Sequence, residues 1–267
     1  MDVALHLARN RMLANLPDAW LLRLAPHLEP VDLPARMVLE APGEPVGHVY
    51  FPGSGVISTV AVGPGGQRIE AAVTGREGMS GLPVILGGGA SPHETQVQIA
   101  GTGHRIPSAT LREAARAEPG LQGRFLLYAQ AVLAQVAQTA LANGRHTIEE
   151  RLARWLLMCH DRTDGDLLEL THEFLSVMLG VRRAGVTVAM HLLEGRGLVR
   201  ASRGRIRILD REGLKAATRG LYGVSEAEYA RLLGGGGAGL PPGPPLGPPL
   251  GPAAASAGGL GEGAARR

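Results

Sequence analysis

The chain has 267 residues with 45% hydrophobic but only 3% aromatic side chains, so aliphatic packing must supply most of its core. Its formal net charge is only +3, and a strongly basic surface therefore requires an uneven distribution of charge along the chain. The single cysteine, Cys159, excludes an internal disulfide and, within one chain, an all-cysteine metal site or iron–sulfur cluster. We interpret Cys159 as a core residue, with a redox sensor as the alternative.

The first residues mix charged with apolar side chains, which is not the pattern of a signal peptide. We see no run of about 20 apolar residues of the kind that spans a bilayer. We therefore expect a cytoplasmic protein without a membrane partner. Short helices, broken at Pro17 and Pro26, are predicted near the start.

Short β-prone segments separated by Gly/Pro turns follow between Leu33 and Ile106. Many short strands at this spacing favour a small antiparallel barrel or sandwich. The predicted strands are His48–Phe51, Gly55–Val62, Arg68–Val73, Thr95–Ala100 and His104–Pro107.

A long helix is predicted from Leu121 to Asn143, with a stop at Asn143-Gly144. Two apolar stripes run along it, and we expect one to pack on the barrel and the other to form a dimer seam; burial of both within one subunit is the alternative. The predicted dimerisation stripe is Leu126, Ala129, Leu133, Val136 and Ala140, and the second stripe is Leu121, Phe125, Tyr128 and Val132.

Thr147 and Glu150 fit a capping box that starts a new helix. Further on, Thr171 is a plausible N-cap of a short amphipathic helix, and Gly180 supplies the turn into a second helix that runs from about Arg182 to Glu194. This spacing of apolar and small residues around a glycine predicts a helix-turn-helix.

On this interpretation four residues at the start of the second helix contact bases in a DNA major groove: Arg182, Arg183, Ala184 and Thr187. Arginine can donate two hydrogen bonds to guanine, and threonine offers a hydroxyl and a methyl group. Gly185 is costly in a helix, and either close approach to DNA or crowding between helices would explain it.

Residues 198–208 alternate like a β-hairpin with a turn at Arg203-Gly204, which would form a wing. Residues 182–207 contain seven arginines and one acidic residue, Glu194, as expected of a surface that binds phosphates. The predicted phosphate contacts are Thr171, Gly185, His191, Arg200, Arg203 and Arg205.

We divide the chain into an N-terminal sensor domain (1–118), a dimerisation helix (119–144), a winged helix-turn-helix (145–222) and a Gly/Pro-rich tail (223–267). From Gly234 onward the tail lacks apolar periodicity and is expected to be disordered; a proline-rich partner site is the alternative. The fold class is α+β.

This order of parts resembles the Crp/Fnr family of bacterial transcription regulators over roughly residues 10 to 222, most specifically in "LTHEFLSVMLGVRRAGVTVAMHLLEGRGLVRASRGRIRILD". The resemblance implies a cyclic-nucleotide-binding-like jelly-roll barrel that holds an effector. It also implies a homodimer that reads an inverted repeat in double-stranded DNA, with half-sites about 34 Å apart, and RNA polymerase as a further partner.

The chain departs from the family pattern in its expected effector pocket, to which we assign Gly81, Leu82, His93 and Glu94. In relatives that bind cyclic nucleotides, a glutamate holds the ribose and an arginine the phosphate. Here Gly81 falls at the place of the glutamate and His93 or Glu94 near that of the arginine, so cyclic AMP is not expected in the usual pose. Ala184 likewise replaces a glutamate that relatives often carry in the recognition helix.

Three other functions have less support in the sequence. A metal or haem site at His93, Glu94 and His104 would need loop histidines that are more often surface residues. A protein-interaction module could use the winged helix and the tail. No nucleophile, phosphate-loop or zinc-protease motif indicates an enzyme.

Overall fold

The computed structural model describes residues 9–234. It begins with two short helices, α1 (Arg11–Ala14) and α2 (Asp18–Leu24), and a 3₁₀ turn, Ala25–His27. The predicted breaks are confirmed, because Pro17 is the N-cap of α2 and Pro26 lies in the 3₁₀ turn. Asn10 caps α1 and donates hydrogen bonds to the carbonyls of Pro52 and Gly78, which fixes this segment to the domain that follows.

Seven antiparallel strands then form two sheets, which we call the barrel. One sheet has the order β1-β7-β3 and the other β2-β6-β4-β5, with Leu33, Tyr50, Ile57 and Val97 buried as one cluster. The strands are β1 (Glu29–Leu33), β2 (Val38–Glu40), β3 (His48–Pro52), β4 (Val56–Val62), β5 (Arg68–Thr74), β6 (Glu94–Ile99) and β7 (Gly101–Pro107). A short helix, α3 (Leu82–Leu86), connects β5 to β6.

All five predicted strands are present, and β1 and β2 are additional. β1 was missed because Pro30 interrupts its sequence and its exposed residues give no clear alternation. β2 has only three residues, which is too short for a period-two pattern to be recognised.

Two helices follow the barrel, α4 (Ser108–Ala117) and α5 (Pro119–Arg145). The long helix α5 continues through Asn143-Gly144, so the stop predicted there is wrong by two residues. By length and composition α5 alone among the described helices could cross a membrane. Its Phe125 and Tyr128 are buried against the barrel, however. Packing within the protein therefore explains the apolar residues on this side of the helix.

The two stripes of α5 lie in different surroundings. Leu121, Phe125 and Tyr128 pack on the barrel as predicted. Ala129, predicted to lie in the dimer seam, is instead only 5% exposed within the same core, so that assignment is wrong. Leu126 and Leu133 are exposed, Val136 is half-buried, and the outward residues at heptad spacing are Leu126, Gln130, Leu133, Ala137 and Ala140.

The C-terminal part starts at α6 (Ile148–His160), where Thr147 and Glu150 form the predicted capping box. It continues with β8 (Leu167–Leu168), α7 (His172–Leu179), α8 (Arg183–Gly195), β9 (Val199–Ser202), β10 (Arg205–Ile208) and α9 (Arg211–Ala217). The predicted hairpin is β9–β10, and β8 adds a third strand in the order β8-β10-β9. Cys159 is fully buried in the core of this part, and burial raises the pKa of its thiol.

Residues 224–233 form a further helix, α10 (Val224–Leu233), so a tail that starts at residue 223 is wrong. Glu226 accepts a hydrogen bond from the Gly223 N–H and starts this helix. α10 packs along α5, where Gln130 bonds to Glu228, and Tyr229 donates a 2.5 Å hydrogen bond to the Glu77 carbonyl of the barrel. The predicted disorder concerns residues 235–267, which lie outside the described range.

The barrel and the C-terminal part share one hydrophobic core, in which Val56, Val60 and Val73 of the barrel belong to the same buried cluster as residues of α6 and α7. A polar contact crosses the same boundary, since the Trp155 indole donates a 2.7 Å hydrogen bond to the buried carboxyl group of Glu70 on β5. Arg162, after α6, forms a buried ion pair with Glu77. The DNA-reading part predicted from the sequence is therefore fixed directly to the predicted sensor.

Candidate nucleic-acid interface

The turn between α7 and α8 has the geometry that its sequence predicts. Thr171 caps α7 by accepting a hydrogen bond from the Phe174 N–H, and Gly180 ends the helix at φ +62°, in the left-handed region that favours glycine. A Cβ atom at position 180 would lie 2.7 Å from Cδ1 of Ile69 on the barrel. Glycine therefore serves both the turn and a close approach to β5.

Helix α8 is amphipathic, with Val186, Ala189, Met190 and Leu193 buried. At 100° per residue, the opposite face is centred on Ala184, Val188 and His191, all of which are exposed. Arg182 is the N-cap and Arg183 the first residue of the helix. The predicted base-contacting arginines are therefore exposed at the helix start.

Thr187 is less available than the sequence suggested. Its hydroxyl donates to the Arg183 carbonyl at 3.1 Å and lies 3.2 Å from Nδ1 of His172 on α7. The hydroxyl thus fastens α8 to α7, and the residue is half-buried. Base contact by Thr187 stays a prediction, and its hydroxyl proton is already donated to the Arg183 carbonyl.

Val188 was not included among the base-contacting candidates, yet it is 60% exposed one turn after Ala184. Its position four residues after the outward Ala184 places it on the same face of the helix. Val188 joins Arg182, Arg183 and Ala184 on what we call the reading face.

Gly185 has a packing explanation. A Cβ atom there would lie 3.0 Å from Cδ1 of Ile148 at the start of α6, so crowding between helices accounts for the glycine. His191 lines a groove together with Glu149, Glu150 and Arg219. Gly185 therefore lies against α6, and His191 lies near two carboxylates. Phosphate contact by either residue stays a prediction.

The wing exposes a row of arginines: Arg200, Arg203, Arg205 and Arg207. Arg205 lies 3.7 Å from Glu169, a loose and exposed pair that water weakens. Among residues 9–234, Arg182, Arg183, Arg200 and Arg203 make no ion pair, whereas Arg196 pairs with Glu149 at 2.8 Å. The local excess of positive charge is therefore concentrated at the reading face and the wing.

The residues of the predicted effector pocket are divided between two places. Gly81 precedes α3 at φ +77°, with Leu82 next to it, and its N–H donates a 2.7 Å hydrogen bond to Glu40. Burial raises the pKa of Glu40 against this hydrogen bond and one with Thr95. At the start of β6, Glu94 pairs with Arg68, and His93 is exposed. In the described part of the chain, no hydrogen bond joins these two places.

A cavity of about 510 Å³ lies elsewhere, between α1, the barrel, α5, the turn after α6 and α10. Polar groups on its wall include Glu77, Tyr128, Arg162 and Tyr229. Between residues 9 and 234, no three His, Cys, Asp or Glu side chains come together as they would around a metal ion. No pattern in the sequence indicates this cavity, because its walls come from five segments that lie far apart in the chain.

Residues 150–217 match the family model of the Crp-like helix-turn-helix domain. No curated protein matches the chain closely enough to count as a relative.

Solved structures resemble most of the chain. A protein assigned to the Crp/Fnr regulators from Eubacterium rectale is 18% identical with a TM-score of 0.62, over 78% of this chain and 97% of that one. FixK2 from Bradyrhizobium japonicum is 18% identical with a TM-score of 0.60, over 71% and 96%. The c-di-GMP-responsive global regulator CLP from Xanthomonas campestris is 17% identical with a TM-score of 0.55, over 72% and 99%. The chain therefore carries a Crp-like helix-turn-helix domain on the fold of the Crp/Fnr family of transcriptional regulators.

Proposed function

We propose that the protein is a sequence-specific DNA-binding transcription regulator that acts as a homodimer in the bacterial cytoplasm. One observation carries the proposal: exposed arginines without ion-pair partners among the described residues lie at the start of α8 and on the adjacent wing. The wing arginines would bind phosphates and set the register, while the reading face contacts base edges. The comparisons indicate no enzymatic family.

Replacing both Arg182 and Arg183 with alanine should remove much of the sequence preference. Each bidentate contact to guanine contributes roughly 1 to 3 kcal/mol of discrimination. The measurement is the ratio of Kd values for a selected operator and a scrambled duplex, for the wild type and R182A/R183A. The double variant R23A/R105A removes the same charge from exposed positions on the barrel side and should leave the ratio unchanged.

The salt dependence of the same titrations separates DNA binding from a protein-interaction module. Release of counterions predicts a steep loss of wild-type affinity between about 50 and 200 mM salt. Affinity that is insensitive to salt, or full discrimination by R182A/R183A, would contradict the proposal.

The dimer seam is assigned to the exposed leucines of α5. Leu133 is 68% exposed, and with Leu126 it forms an apolar strip along a helix whose other face is already packed. Two such strips related by a twofold axis would bury each other. The two reading faces would then meet an inverted repeat with half-sites about 34 Å apart.

Replacing Leu133 with glutamate is expected to produce monomers, because it places like charges across the seam without disturbing the subunit core. Sedimentation velocity at micromolar concentration would measure the change, and operator affinity should fall with it. L22E is the matched control, since Leu22 is 72% exposed on α2 and is not part of the strip on α5. A dimer that survives L133E would exclude this seam.

We also propose that any effector differs from cyclic AMP in the usual pose. This proposal rests on Gly81, which provides no carboxylate at its position, and on Glu94, whose negative charge would oppose a phosphate. The carboxylate of Glu94 already forms an ion pair with Arg68 of the barrel. RNA polymerase is the further partner that the resemblance to Crp/Fnr regulators supports.

A further inference from the structure

The middle of the reading face is aliphatic. Ala184 and Val188 are the outward residues of the first turns of α8, and Val188 leaves 60% of its surface exposed. The hydroxyl of Thr187 on the flank is engaged by His172 and the Arg183 carbonyl. Hydrogen-bond donors on this half of the helix are therefore confined to its start, at Arg182 and Arg183.

An aliphatic surface in a major groove can recognise one feature of a base pair, the 5-methyl group of thymine. Cytosine, adenine and guanine have no methyl group there, and burying their hydrogen-bonding groups against aliphatic side chains leaves those groups without partners. Arginine, in contrast, prefers the two acceptors of guanine. The two parts of the reading face thus fit different bases.

We propose that Ala184 and Val188 read the methyl group of a thymine close to a guanine that Arg183 contacts. This inference rests on the proposed function, because it assigns base chemistry to the same surface. From Arg183 to Val188 the helix rises about 7.5 Å, at about 1.5 Å per residue. Since bases in one strand are about 3.4 Å apart, the thymine lies within about two base-pair steps of the guanine when the helix follows the groove.

Removal of single methyl groups from DNA tests the proposal. An operator is first selected from random duplexes with the wild-type protein, and each thymine of one half-site is then replaced by deoxyuridine, which keeps its hydrogen-bonding groups. At the contacted thymine, affinity should fall about fourfold, the value of one buried methyl group. At the other thymines of the half-site it should stay constant.

Two variants then identify the protein partner of that methyl group. V188A should bind the thymine operator several times more weakly and should no longer distinguish thymine from deoxyuridine at that position. L192A is the matched control, because Leu192 is 50% exposed on the same helix but lies in the groove beside Glu149. It should keep the fourfold sensitivity. Circular dichroism checks that both variants fold, and the deoxyuridine scan of the wild type is informative without them.

The outcomes separate this inference from the proposed function. If no sequence is enriched from random DNA, the proposed function fails. If an operator is enriched but the wild type tolerates deoxyuridine at every thymine, or V188A keeps the full sensitivity, the reading of a thymine methyl by Val188 is wrong while DNA recognition stands.

Discussion

Replacing Glu70 with glutamine is expected to stabilise the protein by about 3 kcal/mol at pH 8 and by almost nothing below pH 4.5. Burial raises the pKa of Glu70 from 4.5 to about 7, against the lowering effect of hydrogen bonds from Ser58 and Trp155. As pH rises from 4.5 to 7, the unfolded chain loses this proton first, so the wild-type free energy of unfolding falls over that range. Glutamine carries no such proton.

A protonated carboxyl group at Glu70 can satisfy the hydrogen-bonding groups around it. Ser58 lies 2.5 Å from Glu70 and also contacts the side-chain oxygen of Gln98, but its hydroxyl has only one proton to donate. A protonated Glu70 can donate to Ser58, which then donates to Gln98, while its other oxygen accepts from Trp155. The amide of glutamine at position 70 reproduces both roles.

Urea unfolding of wild type and E70Q at pH values from 4 to 8 measures the effect. The difference between their unfolding free energies should grow through this range and level off above pH 7. A difference that is constant with pH would show that Glu70 has the same proton affinity in the folded and unfolded chain, contrary to its burial.

Replacing Arg162 with methionine is expected to destabilise the protein by about 3 kcal/mol, because it leaves the Glu77 carboxylate, only 14% exposed, without its cation. Nε of Arg162 is 2.7 Å from the Glu77 carboxylate, and Nη1 donates to the Met158 carbonyl at 2.6 Å. The aliphatic stem of Arg162 also fills the space next to Gly75, where a Cβ atom would lie 2.6 Å from its Cγ.

An exposed ion pair provides the control for this measurement. Arg105 and Glu29 are 3.0 Å apart on neighbouring strands, and R105M should destabilise the protein much less than R162M does, because water weakens an exposed ion pair. The double variant R162M/E77M should recover most of the loss, since it removes both charges together. Equal effects of R162M and R105M in urea unfolding would show that burial adds nothing to the Arg162–Glu77 pair.

Local signals in the sequence predicted the elements that depend on a few neighbouring residues. The Thr147–Glu150 capping box, the Thr171 cap and the Gly180 turn all form as expected, because each depends on contacts within four residues. Helix α10 was missed because Gly223 and the glycines from Gly234 onward placed it in a segment of tail-like composition. The predicted dimer seam on α5 is wrong at Ala129, which is buried in the subunit core, because alanine is common both in cores and at helix interfaces.

Long-range partners could not be predicted from these patterns. Nothing near Trp155 indicates that its indole meets Glu70, 85 residues earlier in the chain. Arg196 was counted as free positive charge because Glu149, which pairs with it, lies outside the arginine-rich segment. Val188 shows the reverse case, because its exposure follows from helical spacing alone, one turn after Ala184.

The return of α10 to the long helix means that the winged-helix segment is held at both of its ends. It leaves α5 at one end, and at the other it continues into α10, which is bound to α5 and to the Glu77 carbonyl. A body held at one point can turn about any axis through that point, whereas a body held at two can turn only about the line that joins them. Because the segment also shares a hydrophobic core and the Trp155–Glu70 hydrogen bond with the barrel, a signal must break some of these contacts before the segment can swing about this line.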